Sequence, residues 1–183
     1  MKNSSFFDDV LIIKDKVFSD DRGFFSEIYS TKQFKELGLD NLFIQENISF
    51  SKKRGIIRGL HFQKGNHSQG KLLRVLDGKI QDVFIDLRRK SNSYEQVGME
   101  ILSPSDGWIY IPNGFAHGFC TLTDNVSVLY KVDKYYSQEN DAGIIWNDKF
   151  FNIDWMINDD EVILSEKDSN LVSWDKIKDT VEF

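Results

Sequence analysis

A few side chains that can exchange protons near neutral pH stand out in this sequence. Histidine, whose ordinary pKa of about 6.5 suits that task, occurs only at His61, His67 and His117. His61 lies in RGLHFQ, where strand alternation puts Gly59 and Gln63 on its face. His117 lies in PNGFAHGF, a string that is also typical of a turn entering a strand. The local pattern leaves open whether either histidine is a base or a hydrogen-bonded core residue.

Four further groups could complete such chemistry. Lys71 begins the strand after KGNHSQG, where a lysine is usually a solvated charge. Tyr130 and Tyr136 lie in LYKVDKYY, and alternation places Tyr130 on the face of Val128 and Val132, so a packing role is the alternative. Asp168, in LSEKD, is equally typical of a helix cap or a turn.

The motifs of several other protein classes are absent from the sequence. There is no P-loop, no GxGxxG, no HExxH or CxxC metal motif, and no GxSxG elbow. The single cysteine, Cys120, excludes an internal disulfide and favours the cytoplasm. The net charge of −6 argues against a nucleic-acid partner. Because no apolar run approaches about 20 residues, we expect no membrane span.

The elements that must position these groups are predicted to be short strands. Asp77-Gly78, inside LLRVLDGKIQDVFIDL, is typical of a two-residue hairpin turn between two of them. Helices are predicted only at Thr31–Leu37, capped by Ser30 or Thr31 and ended by Gly38, and near Ser173–Lys178. The other predicted strands are Val10–Val17, Phe24–Tyr29, Phe43–Phe50, Ile56–Phe62, Gln96–Leu102, Trp108–Ile111, Gly118–Leu122 and Val126–Val132.

Many short strands without a linker or repeat predict one all-β domain over residues 1–183, an antiparallel sandwich or barrel. The mouth of such a barrel commonly binds a small ligand.

Taken together, strings between residues 20 and 168 resemble one family, the dTDP-4-dehydrorhamnose 3,5-epimerases, which have a cupin-type jelly-roll fold. The strings run in family order: DDRGFFSEIY, FIQENISFS, RGLHFQ, QGKLLRVLDGKIQDVFIDLR, YIPNGFAHGF, LYKVDKYY, IIWND, IDW and LSEKD. The resemblance implies a homodimeric isomerase of dTDP-rhamnose biosynthesis that acts on a dTDP-linked 4-keto-6-deoxyhexose.

The resemblance also implies residue roles. It assigns His61 as the catalytic base, Asp168 as its partner, Tyr130 as the general acid and Lys71 as a cation at the sugar oxygens. The positions that match substrate contacts are Arg22, Phe25, Glu27, Gln45, Asn47, Arg58, His117, Tyr136, Asp141 and Lys167. In this family, the partner subunit's N-terminal strands supply part of the nucleotide pocket.

The implied reaction needs neither cofactor nor metal, because a ketone at C4 already acidifies the C–H bonds at C3 and C5. A base on one face, an acid on the other and a stabilised enolate suffice. The chain departs from the family pattern at Asp141, where glutamate is usual, and at Ile48, where histidine is usual. Strict alternation also puts the side chains of Arg58 and His61 on opposite faces of their strand, unless a bulge at Gly59 brings them to the same face.

Several alternatives stay open at this level. A mono-epimerase that inverts C3 or C5 alone would use the same groups, and another nucleotide could carry the sugar. A metal-dependent cupin oxygenase or isomerase would need a second histidine where Gln63 stands. A sugar-binding cupin without activity would not need the catalytic groups His61, Tyr130, Lys71 and Asp168, all of which are present.

Overall fold

The computed structural model describes residues 2–4, 6–40 and 42–183, and most of its regular elements are short strands. The strands are β1 Lys2–Asn3, β2 Leu11–Ile13, β3 Lys16–Asp20, β4 Gly23–Glu27, β5 Gln45–Ser51, β6 Ile57–Gln63, β7 Lys71–Asp77, β8 Ile80–Asp86, β9 Val97–Leu102, β10 Trp108–Ile111, β11 Phe115–Thr121, β12 Val126–Val132 and β13 Asp141–Gly143. The α-helices are α1 Thr31–Glu36, α2 Glu166–Ser169 and α3 Trp174–Ile177. Short 3-10 helices span Gly65–His67, Pro104–Asp106, Gln138–Asn140, Asp159–Glu161 and Lys178–Thr180.

Two antiparallel sheets pack face to face. The six-stranded sheet has the order β1-β2-β10-β7-β12-β5, and the five-stranded sheet has the order β13-β6-β11-β8-β9. Apolar side chains of both sheets, such as Val75 and Val128 from the first and Phe84 and Phe119 from the second, meet in one buried core between them. The predicted all-β jelly-roll sandwich with a few short helices is therefore confirmed.

The predicted hairpin at Asp77-Gly78 is wrong. β7 pairs with β10 and β12 in one sheet, whereas β8 pairs with β9 and β11 in the other. Gly78, with φ of +78°, is where the chain crosses between the sheets. The reason is tertiary: β8 is buried along its whole length and pairs throughout with β11, a larger gain than a local hairpin offers.

Other local predictions differ by smaller amounts. The strand predicted at Val10–Val17 is interrupted between β2 and β3, because the chain leaves the sheet at Lys14-Asp15. The helix predicted at Thr31–Leu37 is confirmed as α1, with Ser30 at its N-cap, and α3 lies inside Ser173–Lys178. β1, β13 and α2 were not predicted, because each is too short to show a periodic pattern.

A β-bulge distorts β6 where it passes β11. His61 lies opposite His117 and Arg58 lies opposite Phe119, so β6 uses one residue more than β11 over this stretch. Gly59 occupies the bulge with φ of +120°, and a Cβ there would lie 2.7 Å from Cα of Gly118. The extra residue breaks the alternation, so Arg58 and His61 line the same cavity.

The hairpin of β3 and β4, here called the arm, stands apart from both sheets. Among the described residues its strands pair only with each other, from Lys16 opposite Glu27 to Asp20 opposite Gly23. Large apolar side chains on it face solvent, including Phe24 at 76% exposure and Phe25 at 70%. Apolar surface of this kind indicates an interaction site.

The bulge yields a stability prediction. We expect Gly59→Ala to lower the free energy of unfolding by at least about 3 kcal/mol, since the new methyl collides with backbone atoms of β11 that cannot easily move. Gly38→Ala is the matched control, because Gly38 also has a positive φ of +83° but has nothing near its missing Cβ. The control should cost only about 1–2 kcal/mol. Equal midpoints in urea denaturation for the two variants would contradict this account of the bulge.

Candidate active site

A cavity of about 310 Å³ opens between the two sheets. It is lined by residues of both sheets and of the segment around α2: Ser49, Arg58, His61, Lys71, Leu73, His117, Phe119, Tyr130, Ser165, Lys167 and Asp168. The structure thus brings together seven of the residues that the sequence analysis singled out, including all four predicted catalytic groups. The volume of the cavity lies at the small end of the range of roughly 300–1,000 Å³ that is usual for ligand pockets.

His61, on β6, is paired with Asp168 of α2. Nε2 of His61 lies 2.6 Å from Oδ1 of Asp168, although the contact is not aligned as a straight hydrogen bond. Asp168 is almost fully buried and accepts a hydrogen bond of 2.8 Å from the Ser165 hydroxyl. Burial acts to raise the pKa of Asp168, but contacts with His61, Ser165 and the Gly59 backbone N–H outweigh it and hold the pKa below its usual value. An ionised Asp168 can orient and stabilise a protonated His61.

Tyr130 contributes a phenol from the facing wall. It lies on β12 in the six-stranded sheet, opposite Asn47 of β5 and Leu73 of β7 in the strand registers. Burial raises the pKa of Tyr130, while the nearby Arg58 charge acts to lower it. The hydroxyl is therefore protonated at neutral pH and can donate a proton into the cavity from the side opposite His61.

Lys71, at the start of β7, places an ammonium group between the two walls. Its Nζ donates a hydrogen bond of 3.3 Å to the backbone carbonyl of His61. Burial lowers the pKa of Lys71 to about 8, although Asp82 and Asp141 act to raise it; Lys167 lowers it further. Lys71 is thus a cation at neutral pH whose charge is weakly hydrated and available to a ligand oxygen.

A second histidine–aspartate pair lies beside the first. His117 of β11 lies directly opposite His61, and its Nε2 is 2.8 Å from Oδ1 of Asp82 on β8. Asp82 is fully buried, so this pair fixes the ring of His117 at the cavity wall. Asp82 is not among the residues predicted from the sequence, although alternation from Phe84 places it on the inner face of β8.

The cavity rim carries a three-residue polar cluster of Tyr136, Asp141 and Lys167. The Tyr136 hydroxyl donates a hydrogen bond of 3.1 Å to Oδ2 of Asp141, and Nζ of Lys167 contacts the same oxygen. Tyr136 is 56% exposed, so its ring is available to a ligand that extends out of the cavity. Asp141 thus holds a phenol and an ammonium group at the mouth.

The other predicted contacts of the main body also lie close to the cavity. Arg58 is held at the rim by Ser51 Oγ and the Phe50 carbonyl, each 3.1 Å from its guanidinium. Gln45 donates a hydrogen bond of 2.9 Å to Asn47, on the same face of β5 as the cavity-lining Ser49. Both amides therefore extend the polar surface along β5.

The predicted contacts on the arm are not brought to this cavity. Arg22 is 90% exposed and pairs with Asp20 beside it on the arm, while Phe25 and Glu27 lie on the exposed strand β4. The structure of one chain therefore separates Arg22, Phe25 and Glu27 from the other predicted site residues.

Four residues that line the cavity were not singled out from the sequence. Ser49, Leu73 and Phe119 each lie two positions from a predicted site residue on the same strand, so strict alternation could have found them. Ser165 is the N-cap of α2, where its Oγ accepts a hydrogen bond of 3.1 Å from the Asp168 N–H. The Ser-x-x-Asp spacing of LSEKD is the signal for that cap.

Gln63, which stands where a metal-dependent cupin would have a second histidine, has a structural task. Its Nε2 donates to the carbonyls of His67 and Tyr135, and its Oε1 accepts from the Ser137 N–H. Across the described residues, no group of three or more His, Cys, Asp or Glu side chains is arranged to hold a metal ion. None of the helices in the described ranges has both the length and the apolar character needed to span a membrane.

Sequence comparison identifies relatives along most of the chain. The sequence model of the family described as dTDP-4-dehydrorhamnose 3,5-epimerase matches residues 5–176. The dTDP-4-dehydrorhamnose 3,5-epimerase of Shigella flexneri is 43% identical over 164 residues, which cover 88% of this chain and 89% of that protein.

Solved structures show the same relationship. The dTDP-4-dehydrorhamnose 3,5-epimerase of Bacillus anthracis, crystallised with TDP and PPi, has 44% identity and a TM-score of 0.88 over 93% of this chain and 97% of that one. The dTDP-6-deoxy-D-glucose-3,5-epimerase of Legionella pneumophila, in complex with dTDP-4-keto-L-rhamnose, has 36% identity and a TM-score of 0.91 over 99% and 96%. With the matching family model and this shared fold, the chain belongs to the dTDP-4-dehydrorhamnose 3,5-epimerase family.

Proposed function

We propose that the protein inverts C3 and C5 of dTDP-4-dehydro-6-deoxy-D-glucose and so produces dTDP-4-dehydro-L-rhamnose. The observation that carries the proposal is the placement of His61 on one wall of the cavity and Tyr130 on the facing wall. A sugar ring between them would have a base on one face and an acid on the other. Inversion at carbon requires proton removal and return on opposite faces, so this arrangement suits it.

The first step is proton abstraction by His61. The ring nitrogen that does not face Asp168 takes the proton from C3 or C5, and the C–H electron pair moves through the adjacent C–C bond onto the ketone oxygen O4. The imidazolium that forms is stabilised by Asp168, 2.6 Å from Nε2. A positioned base of this kind typically contributes about 10²–10⁴-fold in rate.

The enolate that results needs a cation at O4. Lys71, weakly hydrated between the two walls, is the group best suited to that task, because its charge interacts more strongly with O4 once negative charge has developed there. Losing one such stabilising donor typically raises a barrier by about 2.7–4 kcal/mol.

Reprotonation from the other face completes each inversion. The Tyr130 hydroxyl gives its proton to the carbon, the enolate electrons return to form the C–H bond, and the C4 ketone is restored. The nearby Arg58 charge stabilises the phenolate left behind. Proton exchange with water then returns His61 and Tyr130 to their starting states, so two rounds of the same chemistry invert both carbons.

The nucleotide is expected to lie outside the cavity. The volume of about 310 Å³ suits a sugar ring better than a whole sugar nucleotide, and the cations Arg58, Lys71 and Lys167 line it despite the net charge of −6. The exposed Tyr136 ring at the rim is available for stacking on the nucleobase of the substrate. Crystals of the Bacillus anthracis relative contain TDP, which supports the same nucleotide here.

We further propose a homodimer in which the arm of one subunit completes the partner's nucleotide site. The exposed apolar side chains of the arm and of β5, notably Phe24, Phe25, Ile48 and Phe50, need a covering surface that a second copy supplies. The exposed positions of Arg22 and Glu27 fit a role in the partner's site.

The single domain and the cytoplasmic location stay predictions from the sequence.

Isotope exchange separates the base from the acid. Tyr130→Phe keeps the ring and its packing but deletes the hydroxyl, so His61 can still form the enolate and return a solvent-derived proton with retention. In D₂O we expect this variant to incorporate deuterium at C3 or C5 while inversion falls by about 10²-fold or more. His61→Asn should lose both exchange and inversion. NMR spectra of the sugar measure both quantities.

Two results would contradict this division of labour. Near wild-type inversion by Tyr130→Phe would mean that another group, with Tyr136 first, is the acid. Loss of exchange as complete as in His61→Asn would mean that Tyr130 is needed to form the enolate or to hold the substrate.

The pKa of Lys71 predicts an alkaline limit to kcat/KM. Because burial lowers that pKa to about 8, the ammonium form is present below this pH and is lost as pH rises through it. We expect kcat/KM, which reports ionisations of the free enzyme, to fall above about pH 8 in the wild type, and Lys71→Arg, whose side chain stays charged, to lose this limb. Lys71→Ala should lower kcat by about 10²-fold with less change in KM. If the alkaline limb is unchanged in Lys71→Arg, Lys71 is not the cation that stabilises O4.

The dimer is tested by light scattering. We expect wild-type protein to have twice the 21.3 kDa mass of the chain at micromolar concentration. Phe24→Glu, on the arm, should raise the dimer dissociation constant by at least about tenfold. Phe150→Glu makes the same change at another exposed phenylalanine, 52% exposed and outside the arm, and should leave the dimer intact. Full activity in a monomeric wild type would contradict the proposal.

A further inference from the structure

The arm joins the body through two short roots, Asp15 before β3 and Ile28 after β4. At the first root, Arg74 of β7 donates two hydrogen bonds to the Asp15 carboxylate, at 2.8 Å and 3.3 Å. At the second, the indole N–H of Trp108 on β10 donates to the Ile28 carbonyl. Because β7 and β10 are neighbours in the six-stranded sheet, the two contacts lie side by side.

Arg74 and Trp108 also contact each other. The guanidinium carbon of Arg74 lies 5.2 Å from the centroid of the Trp108 ring, within the range of a cation–π interaction. The loop before β10 also lies against the first root, since a Cβ on Gly107 would lie 3.1 Å from the backbone nitrogen of Asp15. The two roots are thus held by one packed unit.

Burial makes this unit different from an ordinary surface ion pair. The side chains of Arg74 and Asp15 are 8% and 14% exposed, and Trp108 is 1% exposed. By contrast, the Arg22–Asp20 pair at the arm tip is 90% and 52% exposed. A bidentate pair shielded from water fixes geometry, whereas an exposed pair contributes little. The arm is therefore fixed in direction at its roots.

We propose that Arg74 and Trp108 form a clamp that sets the direction of the arm and thereby positions Arg22, Phe25 and Glu27 at the partner subunit's nucleotide site. The proposal rests on the dimer proposed above. Arg74 and Trp108 are positioning residues, since neither lines the cavity in which the chemistry occurs. The clamp would act on nucleotide binding and leave proton transfer unaffected.

The test removes the clamp without touching the cavity. Arg74→Met deletes the guanidinium and keeps an unbranched apolar chain, and Arg74→Met with Asp15→Asn avoids leaving a buried carboxylate unpaired. Arg74→Lys retains a charge for Asp15 and should recover part of the loss. Trp108→Phe keeps an aromatic ring under the guanidinium and deletes the donor to Ile28, although the smaller ring also removes volume from this buried site.

A matched control is available at a second arginine of the described residues, which also pairs with carboxylates and lies over an aromatic ring. Arg88 pairs with Asp86 and Asp9, and its guanidinium lies 4.6 Å from the centroid of the Phe115 ring. None of these partners belongs to the arm. Arg88→Met therefore reports the general cost of losing such a pair.

We expect three changes in the Arg74 and Trp108 variants relative to Arg88→Met. Amide hydrogen exchange in the arm, residues 16–27, should become at least about tenfold faster. The KM for the sugar nucleotide should rise by at least about tenfold while kcat at saturation stays within about twofold. The pH profile of kcat should keep its wild-type shape, because Lys71 and His61 are untouched.

The outcomes separate the clamp from the assembly. If arm exchange and KM in Arg74→Met change no more than in Arg88→Met, the clamp is refuted. If kcat falls together with a distorted pH profile, the residues act on the cavity and the proposal is equally wrong. If the wild type is monomeric, the proposed dimer fails by itself. In that case, the rate of amide hydrogen exchange in the arm alone decides whether Arg74 and Trp108 hold the arm.

Discussion

The bulge in β6 is the local distortion on which the arrangement of the site depends. By adding one residue opposite β11, it turns Arg58 and His61 toward the same cavity. The Gly59 backbone N–H at the bulge also supports Asp168, the partner of His61. Only glycine fits, because a Cβ would collide with Gly118 and the φ of +120° is unfavourable for other residues. The backbone conformation of one residue thus supports the placement of His61, Asp168 and Arg58 together.

Electrostatics in the cavity depends on local pairing more than on the net charge of −6. Three carboxylates near the cavity each face a cation or a histidine: the buried Asp168 faces His61, the buried Asp82 faces His117, and the partly buried Asp141 faces Lys167. Lys71 is different, because its Nζ bonds only a backbone carbonyl among the hydrogen bonds identified for it. Its charge is therefore the one most available to an oxyanion that develops on a ligand.

Much of the fold and site follows from the sequence, and the failures have physical reasons. Alternation and turn residues located most strands, and the family strings identified His61, Lys71, Tyr130 and Asp168, which the structure brings together. The Asp77-Gly78 hairpin failed because long-range pairing of β8 with β11 outweighs local turn preference. The contacts that hold the arm, such as Arg74 with Asp15, join residues far apart in sequence, and no local pattern reveals them.

The central claim is that a sugar ring lies between His61 on one wall and Tyr130 on the other. The most direct measurement is a crystal structure with a dTDP-linked hexose that lacks the C4 ketone and so cannot react. The account predicts that the reacting carbons lie within about 3.5 Å of a His61 ring nitrogen on one face and of the Tyr130 hydroxyl on the other. A ring bound with both side chains on the same face, or a sugar outside the cavity, would contradict it.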